Sequence, residues 1–286
     1  MQVTDLVIHA SDGHPLAATE YRPEAAASGK AVVVINSAMG VKRSFYADFA
    51  AYLVDQGHVV LVYDYRGLGG SAPPTLQGCT ATLEDWGELD QNALLDHAGR
   101  HWPEHKLVIA GHSVGGQIMG LNRHGDALAG MLTVGSQSGY WRHYKGTLKL
   151  GVFLLWHVFV PALSRLLGYF PSSWFGIGMN IPAGVARQWA AWGRDPDYLQ
   201  GRHAPARLAN YAKLRVPMLA VWISDDSFAP WPANLAMRSW YAGARIDVHT
   251  VGPETEDRDR VGHFPFFKQG VAPRAWAAIA QWLESI

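Results

Sequence analysis

The sequence has almost no cysteine and no excess of charge of either sign. Its 286 residues include one cysteine, Cys79, so an internal disulfide framework is excluded. Cys79 lies in the polar stretch QGCTAT, without a histidine at ligand spacing, which favours an incidental role over a catalytic one. Lys and Arg total 24, as do Asp and Glu. This balance lacks the basic excess that nucleic-acid binding requires, so we expect no nucleic-acid partner.

Long hydrophobic runs are also scarce. The N-terminal residues MQVTDLVIHASDG contain no basic region followed by an apolar one, so we expect no signal peptide and a cytoplasmic location. The longest uncharged apolar stretch, Leu150–Ser164, is shorter than the ~20 residues that cross a bilayer, and it contains Pro161. We therefore expect no membrane-spanning segment. The stretch is interpreted as a helix that is buried or that makes peripheral contact with lipid.

The pattern of strands and helices predicts the fold class. After an antiparallel pair, DLVIHA and PLAATEYRP, short β-branched runs alternate with stretches of helical periodicity. The runs are AVVVIN (31–36), HVVLVYDYRG (58–67), LVIAG (107–111) and MLTVGS (131–136), and the helices are 44–56, 84–100 and 113–123. This alternation predicts an α/β fold with a mostly parallel central sheet flanked by helices. Active sites in such sheets lie at the carboxyl ends of the strands.

The alternation stops between residues 138 and 205. This region has no strand pattern and holds five of the chain's 12 tryptophans. We interpret 138–205 as a helical cap inserted after the sixth strand, with residues 1–137 and 206–286 forming the core. The α/β pattern resumes in the core with MLAVWIS (218–224), a helix near 234–241, RIDVHTV (245–251) and a final helix over 274–284.

The segment Gly111-His112-Ser113-Val114-Gly115 carries the most specific signal. It has the form G-x-S-x-G, and it directly follows a buried strand and opens a helix. This context is typical of a nucleophile elbow, in which a sharp turn presents the serine hydroxyl above the sheet. The glycine-rich stretch 67–71 also follows a strand, but Pro73 and Pro74 come directly after it in place of a helix. Ser113 is therefore the predicted nucleophile.

A serine nucleophile needs a base, and the base needs an acid that orients it. In this arrangement the acid and the histidine follow the serine in that order, at later strand ends. Asp225 and Asp226 lie just past MLAVWI, and Asp226 is preferred because Pro230 begins the next helix four residues later. Of the 13 histidines, His263 is preferred as the base because it follows the last strand.

Two backbone N–H groups are expected to hold the oxyanion of the tetrahedral intermediate. One is that of Val114, the residue after the nucleophile. The other comes from the loop Asn36–Gly40 after the strand AVVVIN, with Ala38 as the first choice and Met39 as the second. No metal-ligand cluster is evident in the sequence, and we expect neither a metal nor a cofactor.

The segments VYDYRGLGGS, AGHSVGG, SDDSFAP and GHFPFF resemble the α/β-hydrolase superfamily in order and spacing over essentially the whole chain. More narrowly, the chain resembles bacterial serine hydrolases similar to serine aminopeptidases and monoglyceride lipases. It implies a Ser–Asp–His triad beneath a cap. One departure is that many relatives have His-Gly where this chain has Asn36-Ser37.

These residues predict a serine hydrolase that cleaves a carboxylic ester with a small or apolar acyl group through an acyl-enzyme on Ser113. An amide-cleaving or acyl-transfer enzyme with the same triad is the second hypothesis. A non-catalytic binding protein on this fold is the third. The expected partner is a small-molecule ester or amide, and aromatic side chains of the cap are expected to line its pocket.

Overall fold

The computed structural model describes residues 1–25, 28–201 and 205–286. The strands are β1 (Gln2–His9), β2 (Pro15–Arg22), β3 (Ala31–Asn36), β4 (Val59–Tyr63), β5 (Lys106–His112), β6 (Gly130–Val134), β7 (Tyr169–Phe170), β8 (Ile181–Pro182), β9 (Pro217–Ile223) and β10 (Arg245–Val251). The α-helices are α1 (Ala47–Asp55), α2 (Leu83–Asp85), α3 (Gln91–His101), α4 (Val114–Ile118), α5 (Gly146–Leu154), α6 (Val160–Leu167), α7 (Ala183–Arg194), α8 (Pro205–Lys213), α9 (Trp231–Arg238), α10 (Pro253–Glu256) and α11 (Pro273–Ser285). Two π-helical turns, Trp86–Asp90 and Leu155–Phe159, connect α2 to α3 and α5 to α6.

An eight-stranded sheet forms the centre of the described chain, in the order β1-β2-β4-β3-β5-β6-β9-β10. The β1–β2 and β2–β4 pairs are antiparallel, and the remaining pairs are parallel. In the middle of the sheet Val33 is in register with Val60 on one side and with Val108 on the other. The predicted mostly parallel sheet is therefore confirmed.

Strand β3 shows why these sequences form buried strands. All six of its residues are buried, and successive side chains point to opposite faces of the sheet. Val32 and Val34 join a core that includes α3 and α4, whereas Val33 and Ile35 join a second core that includes α1 and α11. A strand covered on both faces needs apolar residues at every position rather than at alternate ones.

Residues 138–201, here called the inserted segment, connect β6 to the last part of the fold. The segment contains α5, α6 and α7, and it packs around Trp156. The Trp156 indole N–H donates to the carbonyl oxygen of Gly139 over 3.0 Å, and its ring lies 4.5 Å from that of Trp189. Of the predicted cap, residues 202–204 lie outside the described residues.

The inserted segment differs from the sequence prediction in two ways. It contains a short antiparallel pair, β7 with β8, and strands of two residues are too short to give a periodic pattern. The predicted apolar stretch Leu150–Ser164 is part of a longer helix, Gly146–Leu167, with 22 residues. Lys149 and Arg165 lie inside this helix. The helix is therefore longer than the uncharged stretch from which it was predicted.

Candidate active site

The turn between β5 and α4 places Ser113 at the carboxyl edge of the sheet. Ser113 has φ 53° and ψ −117°, a backbone conformation that costs energy for any residue other than glycine. The surrounding packing enforces it. A Cβ on Gly111 would lie 2.3 Å from the backbone nitrogen of Gly116, and one on Gly115 would lie 2.2 Å from the carbonyl oxygen of Asn36. The glycines therefore allow α4 to start directly against β3 and β5, as a nucleophile elbow requires.

The two aspartates after β9 have different partners. The carboxylate of Asp226 is buried, and its Oδ2 lies 2.5 Å from Nδ1 of His263. Its other oxygen accepts the N–H groups of Phe228 and Ala229. The carboxylate of Asp225 instead accepts the N–H groups of Val261 and Gly262, each over 3.0 Å. The structure thus places Asp226 on the histidine ring and Asp225 on the loop that carries the histidine.

Gly135, directly after β6, also shapes this pair. It has φ 55°, and a Cβ there would lie 3.0 Å from Nδ1 of His263 and 3.1 Å from Oδ2 of Asp226. Any larger residue would press on the hydrogen bond between the two side chains. The sequence analysis did not single out Gly135, although a glycine at the end of a buried strand was the available signal.

The two candidate oxyanion donors in the loop after β3 differ in their hydrogen bonds. The N–H of Ala38 donates to the hydroxyl of Tyr46 over 2.8 Å, inside the protein. The N–H of Met39 has no acceptor within the described ranges 1–25, 28–201 and 205–286. Both residues line the cavity above Ser113. Ala38 was preferred on residue size alone, and its N–H is already engaged in this structure.

Tyr46 and His112 form a buried pair behind the elbow that the sequence analysis missed. The Tyr46 hydroxyl lies 2.9 Å from Nδ1 of His112, and the His112 ring centroid lies 4.6 Å from that of His263. Burial, followed by the neighbouring His263, holds the pKa of His112 well below its usual value, so the ring is neutral. The pair connects the loop after β3, the elbow and the histidine loop. Its sequence signal was only the position of His112 beside Ser113.

A largely apolar cavity of about 400 Å³ opens above these groups. Ser113, His263, Ala38 and Met39 form its floor. Its walls are mostly aromatic and aliphatic and come from the inserted segment and from the loops after β9 and β10: Tyr144, Leu148, Val152, Leu155, Trp156, Phe159, Phe175, Ile177, Trp189, Phe228 and Phe264. None of the described side chains that line it is Asp, Glu, Lys or Arg. The basic side chains Arg142, Lys145 and Arg187 of the inserted segment do not line it.

The sheet order, the elbow at Ser113 and the later acid and histidine are those of an α/β-hydrolase, and comparison with known proteins agrees. Residues 27–172, about half of the chain, match the model of a family described as serine aminopeptidase, S33. The chain therefore belongs to the serine aminopeptidase S33 family and is a serine hydrolase. A comparison with curated protein sequences gives no match.

Solved structures with the same fold include three esterases. The esterase domain of a Rhodothermus marinus protein is 16% identical, with a TM-score of 0.63, and the match covers 100% of this chain and 99% of that chain. A thermostable carboxyl esterase from Bacillus coagulans, in complex with glycerol, is 15% identical, with a TM-score of 0.67 and the same coverage. Est1E from Butyrivibrio proteoclasticus with bound ferulic acid is 15% identical, with a TM-score of 0.61 and coverage of 98% and 96%. At these identities the likeness shows the fold, and the predicted α/β-hydrolase fold is confirmed.

Proposed function

We propose that the protein hydrolyses carboxylic esters with an apolar acyl or alcohol group through an acyl-enzyme on Ser113. The observation that carries the proposal is the presence of the strained serine and the Asp226–His263 pair on one apolar cavity. His263 takes the proton of the Ser113 hydroxyl as the oxygen attacks the ester carbonyl, and it then protonates the leaving alcohol. Asp226 fixes the tautomer of His263 through Nδ1 and stabilises the imidazolium. A water molecule, deprotonated by the same histidine, releases the acid.

The oxyanion donors in this proposal are the backbone N–H groups of Val114 and Met39. Val114 is the first residue of α4, where backbone N–H groups have no partner within the helix. Met39 replaces Ala38 as the second donor because the N–H of Ala38 is bonded to Tyr46. Both donors are main-chain groups in packed turns, so little reorganisation is needed as the charge develops.

The cavity lining supports an ester rather than an amino-terminal peptide as substrate. A charged α-amino group is costly to bury in an apolar cavity without a carboxylate to pair with it, and the described lining contains none. The polar side chains that line the wall include Gln137 and Ser227. The Oε1 atom of Gln137 is buried without a hydrogen-bond partner in the described structure.

A fluorophosphonate probe tests the proposal directly, because it reacts with an activated serine whatever the natural substrate is. We expect stoichiometric labelling of Ser113, located by peptide mapping. Labelling should be lost in Ser113→Ala and kept in Ser227→Ala, a matched change of another serine on the same cavity. Hydrolysis of p-nitrophenyl esters of graded chain length should fall about 10⁴-fold or more in Ser113→Ala.

Other outcomes would favour one of the alternative hypotheses for the function. Faster turnover of aminoacyl p-nitroanilides than of esters would favour the amide-cleaving hypothesis, and preferential transfer to an added alcohol or amine would favour acyl transfer. If folded protein reacts neither with the fluorophosphonate nor with a smaller sulfonyl fluoride, the proposal fails and a non-catalytic binding protein becomes the better interpretation.

A further inference from the structure

The inserted segment has an unusual charge distribution. Between Asp126 and Asp195 the chain contains no Asp or Glu, but it contains six basic residues: Arg142, Lys145, Lys149, Arg165, Arg187 and Arg194. The rest of the chain therefore has 18 basic residues against 24 acidic ones. A chain that is neutral as a whole thus carries a net positive segment on a net negative remainder.

The same segment carries six of the 13 large hydrophobic side chains that the described residues expose. The helix Gly146–Leu167 is long and apolar enough to cross a membrane by length and composition, and most of it is not buried. Leu150 is 60% exposed and Leu166 is 79% exposed, and Trp174, after the helix, is 69% exposed. Exposed apolar surface on this scale marks an interaction site rather than ordinary surface variation.

One side of this helix is fixed to the protein. Trp156, Val160 and Ser164 are buried at a spacing of four residues. The carbonyl oxygen of Trp156 accepts from the guanidinium of Arg194 in α7 over 2.7 Å. A helix held in this way lies on the fold with a second side on the cavity and its remaining surface exposed, an orientation suited to contact with a surface rather than insertion across a bilayer.

We propose that this helix docks the protein on an anionic lipid surface. A helix lying in the interface contacts the acyl region with the residues on its exposed sides, here Leu150, Val158 and Leu166. The exposed side chains of Lys145 and Arg165, near the two ends of the helix, supply charges for the lipid phosphates. Trp141, which lies under both Arg142 and Lys149, adds an aromatic ring of the kind found at membrane interfaces.

A second copy of this chain is a poorer occupant of the same surface. Self-association through it would bring together two segments that each carry six basic residues and only two acidic ones, Asp195 and Asp197. The mouth of the cavity is continuous with the surface, because Leu148, Phe159 and Phe228 are both exposed and part of the cavity lining. Docking would thus hold the opening against the lipid headgroups. The docking itself does not depend on the proposed catalytic function.

Co-sedimentation of the purified protein with phosphatidylcholine vesicles, with and without phosphatidylserine, tests the proposal. We expect binding to the anionic vesicles that weakens as NaCl is raised. Lys145→Gln combined with Arg165→Gln, two exposed basic residues, should weaken it roughly 20-fold, since one cation near an anionic surface accounts for about fivefold. Leu150→Glu combined with Leu166→Glu should abolish it. Val7→Glu on β1, where the valine is 65% exposed, is the matched control and should bind like the wild type.

The far-UV circular dichroism spectrum and thermal unfolding midpoint of each variant report that the fold is intact, independently of vesicle binding and of catalytic activity. The proposal is overturned if the wild-type protein does not sediment with anionic vesicles at low salt. It is equally overturned if Leu150→Glu/Leu166→Glu binds like Val7→Glu, or if zwitterionic vesicles bind as well as anionic ones. Dimerisation in solution that Leu166→Glu abolishes, without vesicle binding, would assign the surface to a second copy of the chain.

Discussion

At the scale of single residues, two adjacent carboxylates have different roles because they have different hydrogen-bond partners. Asp226 contacts the ring of His263, and Asp225 contacts the backbone of the loop that holds that ring. The sequence stretch SDDS offers no basis for this division other than the position of Pro230. The difference between the two positions is that only Asp226 is hydrogen-bonded to a ring nitrogen of the histidine.

Replacement of each aspartate by asparagine should separate the two tasks. Asp226→Asn should slow fluorophosphonate labelling and ester hydrolysis by about 10³–10⁴-fold, because an amide at this position favours the wrong tautomer of His263. Asp225→Asn should slow both by less than about tenfold, while lowering the midpoint of thermal unfolding, because it weakens charge-assisted bonds to Val261 and Gly262. A larger kinetic loss in Asp225→Asn than in Asp226→Asn would contradict the assignment of the triad acid.

At the scale of elements, strands and helices could be predicted where burial requires apolar residues at a regular spacing in the sequence. The uninterrupted β-branched run of β3 and the elbow between β5 and α4 are local patterns, and both form as the sequence predicts. The loop after β3 was harder to predict from the sequence. The directions of its N–H groups depend on Tyr46, which ends a 3-10 turn, Arg43–Tyr46, and whose hydroxyl accepts the N–H of Ala38. No local pattern of residue types encodes such a tertiary contact.

Backbone esters in this loop would identify the second oxyanion donor. Incorporation of the α-hydroxy analogue of methionine at position 39 removes one N–H and leaves the side chain unchanged. We expect kcat for the best ester to fall about 10²–10³-fold, the usual cost of one oxyanion donor. The matched α-hydroxy analogue of alanine at position 38 removes the bond to Tyr46. It should lower the free energy of unfolding by about 1 kcal/mol with little loss of kcat. The opposite pattern of kcat losses would restore Ala38 as the donor.

At the scale of the whole molecule, the balanced charge total conceals an uneven distribution of charge along the chain. Equal numbers of acidic and basic residues led to the expectation of no nucleic-acid partner, but the same count gave no hint that the inserted segment has six basic residues and only two acidic ones. Net charge averages over the surface, whereas association depends on how charge is distributed over it. The position of the segment over the cavity followed from the fold and not from composition.

Global stability should depend on pH through a buried histidine at the start of β4. Nδ1 of His58 accepts the N–H of Ala31, which begins β3. Burial lowers the pKa of His58 to about 4 in the folded chain, with Glu284 opposing the shift. The unfolded chain, with a pKa near 6.5, binds the proton more readily between these values. The free energy of unfolding should therefore be unaffected by His58 above about pH 6.5 and fall as the pH is lowered toward about 4.

The size of this effect can be isolated by comparing urea unfolding of the wild type and of His58→Asn, whose Oδ1 can accept the same N–H. Between about pH 7 and 4.5 the wild type should lose roughly 2 kcal/mol more than the variant. His112, whose pKa is also held down by burial, adds a loss of the same sign to both proteins and cancels in the difference. Parallel pH curves for the two proteins would show that His58 is not held neutral in the folded state. A difference of the expected size would show that one buried ring between two central strands accounts for much of the acid sensitivity of the whole fold.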